Sequence, residues 1–282
     1  MDKRYYCICG KVFKKKYYYD SHVDKYHQDL NIIHIGAGRQ NINHDLYEII
    51  YPLTNLFIHN NGLNLIVSIN NDHIMKWTKY VIEKLTDHYG VKLYYNDGTE
   101  FKYIPFFKMI TGKNNCTFGQ IRKLFLSETH HVVNNLFICK NIIHCKNKIL
   151  YTRSDALGRK ILNYDKISRL FDIVIHNLNI DVNQQIKLFN DCSHFVSTNG
   201  AHMANTIFMH KDSVVVDISE LPYPGHNSWQ KRYGTHIRNY NFIYANETKL
   251  NGNNKSKTRP DGEIDIIIDN KLEKIITDLI IG

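Results

Sequence analysis

Asn199-Gly200-Ala201-His202 is the stretch of this sequence best suited to hold a phosphate. It lies between the apolar run His194-Phe195-Val196-Ser197 and the helical pattern Asn205-Thr206-Ile207-Phe208-Met209. Glycine and alanine at a strand-to-helix turn let backbone approach a ligand closely, and the N–H groups and dipole of the helix that follows favour an anion. Most such turns bind nothing, so the neighbours decide. Arg153 and Arg159 stand six apart just after the run Ile149-Leu150-Tyr151, and Asp217 follows Val214-Val215-Val216. A second constellation lies near the start, where Cys7, Cys9, Phe13, Tyr19, His22 and His27 spell C-x-C-x3-F-x5-Y-x2-H-x4-H. Two thiolates from a tight turn and two imidazoles about a helical turn apart can hold zinc, with Phe13 and Tyr19 as a mini-core. The alternative is a basic tail with incidental Cys and His.

The elements that position these groups form an α/β pattern. In the first half Leu63–Ile69 is a buried strand, and Asn71 or Asp72 caps a helix whose apolar face carries Ile74, Trp77, Val81, Ile82 and Leu85, with Gly90 past its end. Val91–Tyr95 and Phe101–Phe107 read as strands about an Asn96-Asp97-Gly98 turn, and Thr117 caps a further helix. From Lys148 strands and helices alternate regularly: strands at Ile149–Tyr151, Asp172–Ile175, His194–Ser197 and Val214–Ile218, and helices at Asn163–Leu170, Val182–Phe189 and after Gly200. Such alternation predicts a parallel sheet with helices on both faces and ligands beyond the carboxyl ends of the strands. Arg153, Ser154, Asn177, Asn199 to His202 and Asp217 to Glu220 should then share one edge. Asn246–Asp261 reads as a surface loop, followed by a strand at Ile264–Ile268 and a helix from Asp269.

Composition narrows the function classes. The chain has 282 residues, enough for two lobes, and a formal charge of +9, which fits a polyanion partner, a nucleotide-phosphate site or a solvated Lys-rich surface. Six cysteines fit no secreted disulfide framework. No apolar run spans a membrane and Met1–Cys7 opens no signal peptide, so the expectation is a cytoplasmic protein with no membrane partner. The Asn, Ile, Lys and Tyr usage is that of an AT-rich genome.

Arg153-Ser154-Asp155-Ala156-Leu157-Gly158-Arg159-Lys160-Ile161-Leu162-Asn163, then Gln185-Ile186-Lys187-Leu188-Phe189, then Asn199-Gly200-Ala201-His202-Met203-Ala204-Asn205, then Val215-Val216-Asp217-Ile218 follow in fixed order. Together they resemble glycosyltransferase family 61, which runs R-x5-R-x-I-x-N, Q-I-x-L-F, H-G-A-G-L-T-N and V-I-E-I over the same region. Asn43-His44-Asp45-Leu46-Tyr47-Glu48 is similar to the family's earlier H-x-L-x-E segment. The resemblance covers residues 40–245 and departs at Asn199, where the family has His, and at His202, where it has Gly. It implies two Rossmann-like lobes of the GT-B type, an N-terminal lobe at 30–147 on the acceptor side and a C-terminal lobe at 148–282 holding a nucleotide-sugar donor. Arg153 and Arg159, with the Gly200 and Ala201 amides, would neutralise the leaving diphosphate without a catalytic metal. Asn205 would fix the turn or reach a phosphate or ribose. Asp217 would bind a ribose hydroxyl or order an arginine, and His202 would contact phosphate or crowd the approach. Inversion needs a base, for which His44 and Glu48, four apart on one helix face, are the first candidates and Asp45 the third. The bland reading of His44 is helix capping or packing. His226, Trp229 and His236 lie where an acceptor or sugar could rest, and Gly36-Ala37-Gly38-Arg39 reads as a flexible loop.

Residues 1–29 resemble a two-Cys two-His zinc finger, with the single Ile8 between the cysteines where that family has two to four residues. The finger would hold structural zinc through Cys7, Cys9, His22 and His27 and make weak nucleic-acid or protein contacts. The leading expectation is thus an inverting hexosyl- or pentosyltransferase acting from a UDP-linked sugar on a protein or glycan hydroxyl, as would suit a viral or bacterial-type glycosylation system. The competing one is a nucleic-acid-binding finger protein on an inactive transferase scaffold.

Overall fold

Two sheets of parallel strands organise the chain, one in each of the units Met1–Leu136 and Phe137–Gly282. The computed structural model describes residues 5–6, 12–13, 30–35, 41–59, 64–70, 74–96, 104–105, 128–137, 145–156, 158–219, 237–245 and 265–282. Ahead of the first sheet, β1 (Tyr5–Tyr6) pairs antiparallel with β2 (Val12–Phe13). The four proposed zinc ligands Cys7, Cys9, His22 and His27 lie outside the described residues, as do His226, Trp229, His236, the Gly36–Arg39 loop and the helix expected after Thr117.

The first unit carries β3 (Leu30–Ile35), β4 (Asn64–Asn70), β5 (Lys92–Asn96) and β6 (Ile104–Pro105) in the order β5-β4-β3-β6, all parallel. Strands buried on both faces are rich in apolar residues, as the buried Ile66, Val67 and Ile69 of β4 are. Between β3 and β4 come α1 (Ile42–Asp45), a π-helical turn (Leu46–Ile50) and α2 (Tyr51–His59). The wide turn sits immediately before Pro52, whose ring has no N–H and would crowd the carbonyl of Glu48 in a regular α-helix, so widening there relieves the clash. Every side chain of the π turn is buried. Helix α3 (Lys76–His88) buries Trp77, Val81, Ile82 and Leu85 at the expected spacing, and Gly90 follows with φ 64°. Its start differs from expectation. The helix begins after Met75, whose backbone is extended and whose side chain makes no cap, while Asn71 and Asp72, the expected caps, lie outside the described residues. Helix α4 (Glu128–Phe137) has no counterpart among the sequence-based expectations.

The second unit has a five-stranded parallel sheet ordered β11-β10-β9-β7-β8. Its strands are β7 (Asn147–Tyr151), β8 (Ile173–Ile175), β9 (Cys192–Thr198), β10 (Val214–Ser219) and β11 (Asn239–Tyr244). Leu150, Val196, Val216 and Ile218 pack with Ile161, Ile268, Leu272, Ile276 and Ile280, the last three from helix α7 (Asn270–Ile281). Asp269 caps that helix through Leu272 N at 2.7 Å. Tyr151, Ser197 and Asp217 stand in register across β7, β9 and β10. Helix α5 (Asp165–Ser168) is one short turn, and α6 (Val182–Asn190) opens on a capping box formed by Asp181 and Gln184.

Three elements of this unit go beyond or depart from the sequence reading. The helix expected after Gly200 is a 3-10 helix, Ala201–Phe208. Its bonds run three residues back, as from Met203 N to Gly200 O (3.1 Å), and the Thr206 hydroxyl donates to the Met203 carbonyl at 2.7 Å, which favours the tighter winding. The strand expected at Ile264–Ile268 reduces to one bridge between Ile161 and Ile266, since Ile161 follows a loop and offers no strand to pair with. Strand β11 escapes a sequence reading because Asn239-Tyr240-Asn241-Phe242 alternates asparagine with aromatics and looks like loop composition.

Candidate functional site

The chain leaves β7 to make β8 on one side, then crosses back to place β9 on the other side of β7. A parallel sheet opens a crevice at such a switch point, beyond the carboxyl ends of the two strands. Arg153 follows β7 and Asn199-Gly200 follows β9, so the arginine loop and the turn flank that crevice.

Both arginines converge on one atom. Nη1 of Arg153 donates to the Asn199 carbonyl oxygen at 2.6 Å, and Nη1 of Arg159 donates to the same oxygen at 2.8 Å. Their backbones are left-handed, with φ of 57° for Arg153 and 61° for Arg159. That conformation costs a side-chain-bearing residue about 1 kcal/mol or more, so the surrounding contacts must impose it. The loop is clamped by Ile161 N to Thr152 O (3.0 Å) and by the Thr198 hydroxyl to the Arg159 carbonyl (2.6 Å). Two unit charges about 5 Å apart repel by about 3 kcal/mol at an effective dielectric constant near 20. A half-buried guanidinium pair of this kind is a ready receptor for a dianion.

Beneath the pair, Asp217 is wholly buried. Its Oδ2 accepts from Asn199 Nδ2 at 3.0 Å and from the Tyr240 hydroxyl at 2.5 Å, and Asn199 N donates to the Ile218 carbonyl at 2.9 Å. Asp217 thus bonds Asn199, the residue whose carbonyl both arginines meet. Burial pushes its pKa up to about 6, opposed by the bonds from Tyr240 and Asn199 and by the two arginines. In the unfolded chain the group titrates near the ordinary carboxylate value, so the native state holds more protons between roughly pH 4 and 6, and stability falls as pH rises through that window. Asp217→Asn is therefore expected to stabilise the fold at pH 7.5 by on the order of 3 kcal/mol, with the gain shrinking as pH falls towards 4. Denaturant melts at both ends of that range check it.

His202 sits under the turn and not at its mouth. The Ser197 hydroxyl donates its single proton to the Tyr151 carbonyl at 3.0 Å, so it accepts from His202 Nε2–H at 2.9 Å, which fixes the tautomer. Burial and the two arginines hold the imidazole well below its ordinary pKa, hence neutral. Tyr151 packs edge-on against the ring at 4.8 Å. The family's glycine at this position is thus replaced by a ring that fills the space below Gly200. A Cβ on Gly200 would come to 2.7 Å from Arg153 Nη1 and 2.9 Å from His202 Nδ1. The guanidinium can swing away but the pinned imidazole cannot. Gly200→Ala is accordingly expected to cost about 1–3 kcal/mol and to displace Arg153, read as a lower melting temperature together with weakened anion binding.

Asn205 is buried inside the 3-10 helix, and Ala201 opens that helix. Ser154 and His176 extend the polar edge towards β8, and the sequence did not single out His176. Both approach the buried Thr152 hydroxyl, Ser154 Oγ at 2.8 Å and His176 Nδ1 at 2.9 Å. Asn177, next to His176, was the available signal. Its own side chain accepts from Asn179 N at 2.6 Å and shapes a turn.

In the first unit, His44 Nδ1 and Glu48 Oε1 lie 2.9 Å apart, joined across one turn as their spacing requires. Glu48 is buried while the His44 side chain keeps 30% of its surface. Asp45 is buried and accepts the Thr78 hydroxyl proton of α3 at 2.6 Å. That bond ties the two helices.

The second unit is thus a parallel α/β unit with a guanidinium pair at its switch-point crevice. Residues 43–216 match the model of the Glycosyltransferase 61 family, a span of more than half the chain, and the chain belongs to that family. The protein is a glycosyltransferase. No curated protein matches it. Among solved structures it is similar to the E. coli heptosyltransferase WaaC with ADP, at 8% identity over 79% of this chain and 96% of that one, with a TM-score of 0.44. Among the described residues no helix is long and apolar enough to cross a membrane.

Proposed function

We propose that this chain transfers a sugar with inversion from a UDP-linked donor to a hydroxyl on a protein or glycan, the donor diphosphate being held by Arg153 and Arg159. The observation that supports this reading is the convergence of both guanidinium groups on the Asn199 carbonyl at the switch point of the second sheet. Charge grows on the diphosphate as the glycosidic bond breaks, and preorganised cations there stabilise the transition state more than the ground state. The Gly200 and Ala201 amides would add neutral donors to the same oxygens. His44 would take the acceptor proton on Nε2 while its Nδ1–H donates to Glu48, which holds the ring in that tautomer. Cys7, Cys9, His22 and His27 are proposed to bind one structural zinc, which metal analysis of the purified chain would show as one equivalent.

Thermal shift with a panel of nucleotide sugars tests the donor assignment. A ligand at about 100 times its Kd adds about 2.7 kcal/mol, enough to raise the melting temperature by several degrees. A panel in which UDP and every UDP-sugar leave the melting temperature unmoved rules the assignment out.

A further inference from the structure

Both arginines bond one peptide carbonyl, and the bonds that fix that peptide reach beyond the turn that carries it. Asn199 is followed by Gly200, whose backbone is permissive, and two cations pull on the same oxygen. What fixes the peptide lies to the other side. Asn199 N is bonded to Ile218 O on β10, and Asn199 Nδ2 is bonded to Asp217 Oδ2. Asp217 in turn has its Oδ2 held by the Tyr240 hydroxyl, at 2.5 Å the shortest of these bonds. Its Oδ1 has no hydrogen-bond partner among the described residues, so the carboxyl's orientation rests on Oδ2 alone. Tyr240 reaches it because Val215 is its register partner, which puts its side chain on the face of β10 that carries Asp217.

We propose that Tyr240 is a positioning residue for donor binding: its hydroxyl orients Asp217, Asp217 orients Asn199, and Asn199 presents one carbonyl that aims both arginines. This rests on the reading of that pair as the clamp for the donor diphosphate. It adds to that reading a residue from β11, a strand outside the arginine loop and the glycine turn. The groups that face Asp217 are Tyr240 from β11, Asn199 from the end of β9, and Arg153 and Arg159 from the loop after β7. All four favour its ionised form. Removing the Tyr240 hydroxyl leaves burial less opposed, so Asp217 takes up its proton at higher pH and the carboxylate that holds Asn199 is lost earlier on acidification.

The test uses the full chain and three proteins: wild type, Tyr240→Phe and Asp217→Asn. The first readout needs no ligand and follows the Nε–Hε NMR signals of Arg153 and Arg159 from pH 8 to 5.5. The second is calorimetric affinity for inorganic pyrophosphate and for UDP. Tyr240→Phe is expected to broaden or shift both arginine signals and to weaken pyrophosphate about tenfold near neutral pH, the usual effect of losing one hydrogen bond to a buried charged group. Its pH midpoint should move upward. Asp217→Asn keeps an oxygen that accepts from Tyr240 and Asn199, so it should retain the arginine signals and lose their pH dependence. Arginine signals and pyrophosphate affinity in Tyr240→Phe identical to wild type overturn the proposal. If Tyr240→Phe perturbs the whole fold, an Asp217→Asn variant with unaltered pH dependence overturns it and a flat profile supports it. Pyrophosphate binding without UDP binding in the wild type counts against the donor assignment, and the arginine signals then decide the role of Tyr240 by themselves.

Discussion

Arg159→Ala is expected to lower kcat/KM by about 10²–10³-fold, the loss usual when one preorganised donor to a developing oxyanion is removed. The Arg159 guanidinium meets the Asn199 carbonyl at 2.8 Å beside that of Arg153, with the Asp217 carboxyl buried beneath. A diphosphate arriving at the pair relieves their mutual repulsion, and the relief grows as the leaving group gains charge. The cost to the fold should be smaller. Arg159 is only half-buried, and the loss of its bond to Asn199 and of its attraction for Asp217 is partly offset by ending the repulsion with Arg153, so stability should move by about 1–2 kcal/mol. Arg153→Ala should act in the same direction, and the double variant should fall short of the product of the two because both act through one oxygen. Steady-state kinetics with the best donor and calorimetry with UDP supply the measurements. A UDP affinity unchanged in Arg159→Ala would remove that residue from the donor site.

The sequence carried the strand–helix alternation from Lys148 onward and the register that brings Arg153, Asn199 and Asp217 to one edge, because apolar runs and glycine turns report burial directly. It also carried the pairing of His44 with Glu48, since a spacing of four fixes two side chains on one helical face. What it did not carry was the layer beneath. Tyr240 sits more than twenty residues from Asp217 in a stretch whose Asn and Tyr content resembles loop, and only parallel pairing with β10 places its hydroxyl. His202 shows the same limit from the other direction. As a residue in a phosphate-type turn it suggested either a phosphate contact or a steric obstacle. The buried Ser197 hydroxyl on the strand before it pulls the ring inward instead. A hydroxyl inside an apolar strand gives no sign in one dimension of which partner it will find.

The two departures from the family pattern then form one rearrangement. Asn199 stands where the family has His, and an imidazole appears three residues later at a family glycine. The amide at 199 is short enough to bond Asp217 while its backbone carbonyl faces the arginines. The imidazole at 202 fills the volume below Gly200 without carrying a charge next to two cations. A protonated His202 would oppose the pair, and burial prevents it. The turn therefore keeps its open glycine and its positive field.

His44→Ala is expected to lower kcat by about 10²–10³-fold while leaving UDP affinity unchanged, the range lost when a positioned general base is removed. His44 is the more exposed member of its pair and Glu48 the buried one, so the ring is held at Nδ1 while part of its surface reaches solvent. Glu48→Gln should cost less, about tenfold, because the amide oxygen can still accept from Nδ1 and hold the ring in place. The bland reading of the same contact is helix packing, and it makes the opposite forecast. If His44 only ties α1 to the π turn, His44→Ala should lower the melting temperature and leave kcat within a few-fold of wild type. Because the ring keeps 30% of its surface, the helix loses little when it is removed, so a large kcat loss in a variant that melts like the wild type would assign the proton transfer to His44.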